Sequence, residues 1–242
     1  MINLSVNVNK IATLRNSRGG DLPSVTQAAQ TCIDAGAQGI TAHPRQDQRH
    51  IQPHDVYELA EMVTVEYNIE GDPRPDFLDM VTEICPTQCT LVPVVPGEIT
   101  SHTVWDLYRD GERLKPIIQR LKDAGIRVSL FSGTDLHQIE LSKEVGADRI
   151  EFYTEPYASA KTNEEVEHQF GLLVRAAEKA VKVGVGINAG HDLNLDNLPP
   201  LRNLPLLEVS IGHHLINDAI YMGLENAVKA YRKALGQKVE LT

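Results

Sequence analysis

The sequence contains few cysteines, few aromatic residues and no long hydrophobic run. There are 3 cysteines in 242 residues, and the aromatic fraction is 5%. Cys32, Cys85 and Cys89 are odd in number and each lies in or beside an apolar run, so we expect buried, reduced thiols and no disulfide. The spacing of Cys85 and Cys89 also lacks the two-residue gap that is typical of metal and redox pairs.

No stretch approaches the roughly 20 apolar residues of a membrane span, and the N-terminal MINLSVNVNK leads into a predicted strand without a signal peptide. We therefore expect a cytoplasmic protein with no membrane partner. Positive charge is scarce as well, since 23 lysines and arginines stand against 33 acidic residues, for a formal net charge of -10. This balance disfavours nucleic acid as a partner, because nonspecific binding to phosphates needs a positive surface.

The arginines nevertheless form two local groups, Arg15 with Arg18 and Arg45 with Arg49. Local basic groups in an acidic protein suit a small anionic substrate. Surface or structural ion pairs remain the alternative interpretation.

Eight short apolar runs, separated mostly by helical patterns, predict a (β/α)8 TIM barrel formed by a single domain over residues 1–242. The predicted strands are 3–8, 38–43, 66–70, 88–92, 126–131, 148–153, 185–189 and 206–211. The predicted helices are 24–35, 54–64, 76–84, 111–124, 135–145, 163–182 and 214–235, with a short element near 195–203. An open doubly wound sheet is the rival architecture, but eight strands in this length favour closure.

Four of the predicted helix-to-strand junctions share one form, in which a helix end is followed by a glycine and then by a strand. The glycines are Gly36, Gly125, Gly146 and Gly184. Glycine just beyond a helix adopts the left-handed conformation that satisfies the last carbonyls, so we expect this conformation at all four.

Most of the predicted strands end in a polar residue of a catalytic type. In a barrel the carboxyl ends of all strands meet at one mouth, where the active site lies. The densest polar stretch is the loop His43–His50, with two histidines for proton transfer and two arginines whose planar guanidinium groups match phosphate or carboxylate oxygens. His43 is expected to face the mouth, Arg45 and His50 to reach an anionic group, and Arg49 to pair with Asp47.

Two glutamates, Glu70 and Glu151, also lie in predicted strands of the barrel. Glu70 closes the third strand, and an apolar setting raises the pKa of a carboxyl toward the range of a general base. A structural pairing with an arginine is the alternative. Side-chain alternation along the strand places Glu151 on the same face as Tyr153. A carboxylate inside a barrel is costly to bury, so we expect Glu151 to have a polar partner or a functional role.

The last two strands lead into Gly190-His191-Asp192 and Gly212-His213-His214. Barrels frequently bind phosphate at these two loops, where backbone N–H groups and a helix N-terminus face the anion. A metal site formed by His191, Asp192 and His213 is a weaker interpretation, because no metal-binding histidine spacing is present. His54, His102, His137, His168 and His214 receive no role. Lys10, just beyond the first strand, could form a Schiff base or contact a phosphate.

With these residues assembled, the chain resembles the pyridoxine 5'-phosphate synthase family over almost its full length. The resemblance rests on Val6-Asn7, Ile11–Asn16 with Arg18-Gly19, Gly39–Thr41 with His43, Arg45, Asp47 and Arg49–Ile51, Asn68 with Glu70, Leu91–Pro93, Glu98 with Thr100, Val128–Phe131, Glu151, Asn188–His191 and Ile211–His213.

The resemblance implies condensation of 1-deoxy-D-xylulose 5-phosphate with 3-amino-2-oxopropyl phosphate to pyridoxine 5'-phosphate, phosphate and water, with no metal and no organic cofactor. It implies His43 and Glu70 as proton acceptors, His191 as proton donor and Glu151 as a transition-state stabiliser. It assigns Arg45, His50 and Thr100 to the sugar phosphate, and Asn7, Arg18, Gly212 and His213 to the aminoketone phosphate. It also implies extra helices and a homo-oligomer, commonly an octamer.

The chain departs from the family pattern most sharply at two places, and the segments Val94–Gly97 and Tyr153–Glu155 also differ from the commonest forms. Asn9-Lys10 replaces an Asp-His pair that normally touches the sugar phosphate, and Asp192 replaces a frequent glycine. Asp192 keeps a possible backbone contact to substrate, but its side chain must point away or be paired. Within the last predicted helix, the spacing of Ile216, Ile220, Leu224, Val228 and Tyr231 predicts a buried face, against the barrel or a neighbouring subunit.

Two other functions stay open. One is a different phosphosugar aldolase or lyase that uses Lys10 as an imine-forming amine. The other is a non-catalytic barrel that binds pyridoxine phosphate or a related phosphate. Four proton-active groups at one mouth argue against the second, because a binding module does not need them.

Overall fold

The computed structural model describes residues 1–93 and 102–239, and its centre is a closed barrel of eight parallel strands. The strands are β1 (Asn3–Asn7), β2 (Gly39–Ala42), β3 (Glu66–Gly71), β4 (Gln88–Leu91), β5 (Arg127–Ser132), β6 (Arg149–Tyr153), β7 (Gly186–Gly190) and β8 (Glu208–Ile211). Each strand pairs with the next, and β8 closes onto β1 through the pair Leu4 and Val209. The predicted barrel is confirmed, with every strand bound within two residues of its predicted position.

Helices surround the barrel. They are α1 (Asn9–Asn16), α2 (Val25–Asp34), α3 (Pro53–Met62), α4 (Pro75–Ile84), α5 (Leu107–Asp123), α6 (Leu136–Glu144), α7 (Glu155–Ala158), α8 (Asn163–Val183), α9 (His213–Met222) and α10 (Leu224–Ala234), with a 3₁₀ turn at Pro199–Asn203. The short helices α1 and α7 are additions that the periodicity did not predict, because eight and four residues are too few for a clear apolar repeat. Among the described residues no helix is long and apolar enough to cross a membrane.

The glycine prediction is confirmed, because Gly36, Gly125, Gly146 and Gly184 all have a positive φ, between 75° and 95°. The prediction of one helix over 214–235 was wrong. Gly223, with φ of 83°, separates α9 from α10 and turns the chain there.

The buried face predicted for this last segment is only partly present. Ile216, Val228 and Tyr231 are buried, whereas Ile220 is 71% exposed. The break at Gly223 changes the helical phase, so one stripe cannot run through both helices. Cys32 and Cys89 are buried as predicted, but Cys85 is exposed, because it ends α4 in a left-handed turn with φ of 52°.

The strands alternate between apolar and polar residues, although both sets are buried. The apolar set, such as Leu4, Ile40 and Ile69, belongs to the hydrophobic core that the helices cover. The polar positions hydrogen-bond with one another across strands, as Thr90 does when its hydroxyl donates to Asn68 Oδ1 at 3.0 Å. A side-chain period of two along each strand therefore lines the barrel interior with polar groups, and the last of these on each strand faces the mouth.

Candidate active site

A cavity of about 470 Å³ opens at the carboxyl end of the barrel. It contains ten of the predicted site residues: Asn7, His43, Arg45, His50, Glu70, Glu151, His191, Asp192, Gly212 and His213. Arg18 lies exposed in the turn after α1 and is not among the lining residues. Thr100 lies outside the described residues. The barrel thus brings together residues in β1, β3 and β6 and in the loops after β2, β7 and β8, although they are spread over more than 200 positions of the sequence.

His43 and Glu70 face each other in this cavity, with His43 Nδ1 3.8 Å from Glu70 Oε2. The amide of Asn7 donates to the same carboxyl oxygen at 3.4 Å. His43 and Glu70 are both buried, and His43 Nε2 has no hydrogen-bond partner among the described residues. A buried polar atom without a protein partner is costly, so the geometry leaves this ring nitrogen for a bound molecule.

The protonation states follow from burial. Burial, followed by the charges of His50 and Arg45, holds the pKa of His43 well below its usual value, so the imidazole is neutral near pH 7. Burial, and then the nearby carboxyl of Glu208, raises the pKa of Glu70 well above the usual range of a glutamate. Neutral His43 is available to accept a proton, and the raised pKa of Glu70 brings its carboxyl group toward the neutral range in which a general acid or base works.

Glu151 comes from β6, and Gly190 on the neighbouring strand β7 makes room for its carboxyl group. A Cβ atom at Gly190 would lie far inside van der Waals contact with Glu151 Oε1 and 3.3 Å from its Cδ. Glu151 Oε2 is buried and has no hydrogen-bond partner in the described part of the chain. Burial, and then the charges of Glu70 and Glu208, raise the pKa of Glu151 well above its usual value. A cation placed here would favour the charged carboxylate.

His191 follows β7 directly. Its ring packs against Phe131, with centroids 4.8 Å apart, and edge-on against Tyr153, at 5.2 Å. Burial is the main cause that lowers the pKa of His191, to about 4, with Asp192 opposing it. The free site therefore holds a neutral imidazole, which can donate a hydrogen bond through its ring N–H.

The loop after β2 carries the arginine and second histidine that the sequence singled out. Arg45 is buried and lies 3.4 Å from Asp47, which also accepts from Arg49 Nε at 2.8 Å, as predicted. His50 Nδ1 accepts the N–H of Ile51 at 2.9 Å, so the neutral ring carries its proton on Nε2. Burial and then Arg45 lower the pKa of His50 to about 4. The loop therefore offers a guanidinium and an imidazole N–H to an anion.

On the opposite side, Gly212 precedes α9, and His213 and His214 form its first turn. The N-terminus of this ten-residue helix opens into the cavity, as the sequence predicted. A Cβ at Gly212 would lie 3.1 Å from the Cβ of Asn7, which is tighter than an ordinary contact, so glycine allows the two backbones to approach closely here. Backbone N–H groups at a helix start form an anion site.

Asn9 and Lys10, the departure from the family pattern, have different positions. Asn9 Oδ1 accepts the backbone N–H of His43 at 2.9 Å, and the N–H of Asn9 donates to Asn7 Oδ1 at 3.0 Å. Asn9 thus joins β1 to His43, the first residue of the loop after β2. Lys10 is exposed and lines the cavity in the first turn of α1. Burial and then Lys10 lower the pKa of His213, and Lys10 adds to the lowering of the pKa of His50 by burial and Arg45, so the positive charge of Lys10 lies near both histidines.

Arg15, which lies near Arg18 in the sequence, forms a structural ion pair and does not face the cavity. Its Nη2 donates to Asp55 Oδ2 at 2.9 Å, and both side chains are buried. Asp55 also accepts the N–H of Gln52 at 2.8 Å, at the start of α3. This pair fixes α1 against α3 and is not part of the cavity lining.

Sequence reasoning assigned no role to several residues that line the cavity: Thr13, Val92, Phe131, Leu193, Ser210, Ile211 and His214. A signal existed for Ser210 and His214, because both adjoin the predicted phosphate loop. Phe131 gave none, since it looks like any apolar strand residue. Within the described residues, no group of three His, Cys, Asp or Glu side chains could hold a metal ion.

Comparison with known proteins identifies relatives over nearly the whole chain. The family model described as "Pyridoxal phosphate biosynthesis protein PdxJ" matches residues 4–237. The chain is 49% identical to pyridoxine 5'-phosphate synthase of Parabacteroides distasonis over 237 residues, covering 97% of this chain and 99% of the relative. It is 50% identical to the protein of the same name from Porphyromonas gingivalis, with the same coverage.

Solved structures with similar folds are much more distant in sequence. KGPDC of Streptococcus mutans superposes with a TM-score of 0.67 at 12% identity, covering 97% of each chain. Phosphoribosylanthranilate isomerase of Thermotoga maritima superposes with a TM-score of 0.59 at 12% identity, covering 98% of this chain and 99% of the other. These likenesses show the barrel fold alone.

Proposed function

The chain belongs to the family of the pyridoxal phosphate biosynthesis protein PdxJ and is an enzyme that synthesises pyridoxine 5'-phosphate, and we propose its substrates and the residues that act on them. The substrates are 1-deoxy-D-xylulose 5-phosphate and 3-amino-2-oxopropyl phosphate, and the products are pyridoxine 5'-phosphate, phosphate and water. The amine and a ketone join as an imine. Enolisation, loss of phosphate, ring closure and dehydration follow, and each step moves protons.

One observation carries this proposal: four buried, proton-active side chains, each in or directly after a different strand, share one cavity that has an anion-binding group on each of two sides. His43, Glu70, Glu151 and His191 form the centre. Two phosphorylated substrates need two anion sites, and a multistep condensation needs several acids and bases in reach of one intermediate.

His43 and Glu70 are the proposed proton acceptors. Neutral His43 has an unpartnered Nε2 in the cavity and can take a proton at once. Glu70 is protonated in the empty site, because its pKa is raised. A cationic amine substrate stabilises its ionised form, and a carboxylate with a raised pKa is a stronger base once it is ionised.

His191 is the proposed proton donor, and Glu151 the group that stabilises positive charge. A phosphate dianion bound beside His191 raises the pKa of the imidazole, so His191 becomes protonated when the substrate binds. Glu151 is buried, and one of its carboxyl oxygens has no hydrogen-bond partner among the described residues. A positive iminium or oxonium charge that develops beside it stabilises the ionised carboxylate and offsets the free-energy cost of ionising it in a buried position.

The two phosphates occupy opposite sides of the cavity. Arg45, His50 and Thr100 hold the sugar phosphate in this proposal, with Lys10 as an added cation at the rim. Asn7, Arg18, Gly212, His213 and the backbone of Asp192 hold the aminoketone phosphate. The positions of Arg45, His50, Asn7, Gly212 and His213 in the cavity lining support these assignments.

We also propose that residues 1–242 act as one domain, that no metal or organic cofactor takes part, and that the protein works in the cytoplasm as a homo-oligomer, commonly an octamer in the family it resembles. Phosphorylated substrates do not cross membranes unaided, which supports the location. The exposed Ile220, Tyr221 and Met222 at the end of α9 support a contact with a second subunit.

The test is an assay with both phosphorylated substrates that follows pyridoxine 5'-phosphate by absorbance and mass. We expect product from the wild type and a loss of at least about a hundredfold in kcat for His43→Ala and for Glu70→Gln, because general acid–base groups contribute roughly that much or more. His54→Ala is the matched control, because His54 is an exposed histidine on α3 outside the cavity. A folded wild type that binds both phosphates without turnover contradicts the proposal and favours a non-catalytic binding barrel.

One observation supports the alternative of an aldolase that uses Lys10, because Lys10 lines the cavity. A second observation opposes it. An imine-forming lysine works from a desolvated position, whereas Lys10 is exposed. Borohydride treatment with substrate, followed by mass mapping, distinguishes the two functions.

A further inference from the structure

His191 and Asp192 are consecutive residues in the left-handed region, with φ of 78° and 58°. Neither is glycine, and residues with side chains are strained there. Strain of this kind persists only where surrounding contacts hold the backbone, so the contacts at this turn identify what fixes the orientation of His191.

Thr154 holds the start of the turn. Tyr153 pairs with Gly190 in the register of β6 and β7, which places the next residue, Thr154, against the turn that follows Gly190. The Thr154 hydroxyl lies 2.6 Å from both the Gly190 and the His191 carbonyl oxygens, and its backbone N–H donates to Gly190 O at 2.9 Å. Thr154 is 1% exposed, so its hydroxyl is shielded from bulk water.

Asn197 holds the other end of the turn. Its amide donates to the Asp192 carbonyl at 3.1 Å, and its own carbonyl accepts the hydroxyl of Tyr157 at 2.9 Å. Tyr157 belongs to the short helix α7, which begins directly after Thr154. The segment from Thr154 to Tyr157 therefore supports both ends of the turn.

The ring of His191 is confined as well, because it packs against both Phe131 and Tyr153, which also contact each other. With the backbone held by hydrogen bonds and the ring held by two aromatic side chains, the imidazole is limited to one position in the cavity. A shift of about 1 Å in such a group can cost a hundredfold in rate.

We infer that Thr154 is a positioning residue for the reaction, acting through its hydroxyl on the carbonyls of Gly190 and His191 to aim the imidazole of His191. This inference rests on the proposed role of His191 as proton donor. Thr154 lies outside the cavity lining and does not contact substrate in this arrangement.

The experiment compares Thr154→Val, which keeps the shape and removes the hydroxyl, with Thr154→Ser, which keeps the hydroxyl. Thr82→Val is the matched control, because the Thr82 hydroxyl also reaches two carbonyls, those of Leu78 at 2.8 Å and Asp79 at 3.0 Å, in α4 and away from the cavity. For each variant kcat, both KM values and the thermal unfolding midpoint are measured.

We expect Thr154→Val to lower kcat by about ten- to a hundredfold, with each KM changed by less than about threefold. Thr154→Ser restores most of kcat, and Thr82→Val matches the wild type. NMR of labelled histidine supplies an independent readout: the pKa of His191, lowered to about 4 by burial, moves toward its ordinary value when the turn is released. If Thr154→Val does not fold, Asn197→Ala releases the other end of the same turn and is expected to lower kcat in the same way.

A double-mutant cycle separates this inference from the proposed function. In a His191→Asn background, measured under single-turnover conditions, Thr154→Val is expected to cause less than about a twofold further loss. An equal loss in both backgrounds overturns the positioning role, while the defect of His191→Asn alone still supports the proposed donor. A His191→Asn variant with full activity overturns both.

Discussion

Replacing Gly190 with alanine tests whether the space on β7 is reserved for the carboxyl group of Glu151. Gly190 does not have a positive φ, so the substitution adds no backbone strain and the added methyl group is the whole perturbation. That methyl group meets Glu151 Oε1 and the backbone oxygen of Ser210, the latter at 3.3 Å. The backbone oxygen belongs to β8 and cannot retreat easily, so Glu151 must move.

The structure sets the size of the effect. Glu151 Oε1 has to retreat by about 1 Å before the contact reaches the 3.4 Å at which ordinary van der Waals distances begin. A displacement of that size at a catalytic group costs roughly a hundredfold in rate, or about 2.7 kcal/mol of transition-state stabilisation. Overpacking a buried position also costs about 1–3 kcal/mol of folding stability.

The assay measures kcat for pyridoxine 5'-phosphate formation together with urea unfolding. Gly186→Ala is the matched control, because Gly186 lies at the other end of β7 and a Cβ there meets Arg149 Cγ and Leu207 Cδ1, both at 2.9 Å. We expect the two variants to lose similar stability, and only Gly190→Ala to lose activity. The reasoning is refuted if Gly190→Ala keeps kcat within about threefold of the wild type, or if Gly186→Ala loses as much activity as Gly190→Ala.

Three further predictions follow from buried or exposed charge. Burial raises the pKa of Glu208 from 4.5 to about 7, so the stability that the protonated group contributes at low pH is lost as the pH rises through 7. Glu208→Gln is therefore expected to remove about 2–3 kcal/mol of the change in unfolding free energy between pH 5 and pH 8, measured in urea. An unchanged pH dependence contradicts this prediction. Lys10→Met is expected to raise a substrate KM about tenfold with little change in kcat, because exposed Lys10 lines the cavity and a charged contact to an anion contributes about 1.5 kcal/mol. A large loss of kcat in steady-state assays supports the imine mechanism instead. Arg15→Ala is expected to lower the unfolding free energy by about 3–5 kcal/mol, because it leaves the carboxylate of Asp55 buried and unpaired, and a loss below 1 kcal/mol in urea unfolding argues against a structural ion pair.

The sequence predicted the eight strands, and the structure confirms them to within two residues, because a short apolar run followed by a glycine or a polar residue is a local signal. It also predicted that the strand ends share one mouth, since closure of parallel strands forces their carboxyl ends together. His43, Glu70, Glu151 and His191 were therefore identifiable as neighbours before any coordinates were known.

Short helices and breaks were harder to predict. Helix α1 has eight residues and α7 has four, which is too short for a periodic pattern, and Gly223 lies inside a stretch whose apolar spacing looks continuous. Left-handed residues other than glycine gave no local signal either, because the conformation of His191 and Asp192 depends on contacts from Thr154 and Asn197.

By itself, the sequence determined the barrel, the identity of the polar group at its mouth and, through its motifs, the family. Only the tertiary structure decided which charges are held in pairs away from the cavity and which line it. Arg15 and Arg45 look equivalent in the sequence, yet Arg15 is held by Asp55, 40 positions away, and Arg45 lines the cavity. The reason is physical: periodicity along a strand or helix determines the face on which a residue lies, whereas its partner across that face depends on the packing of elements that are distant in the chain.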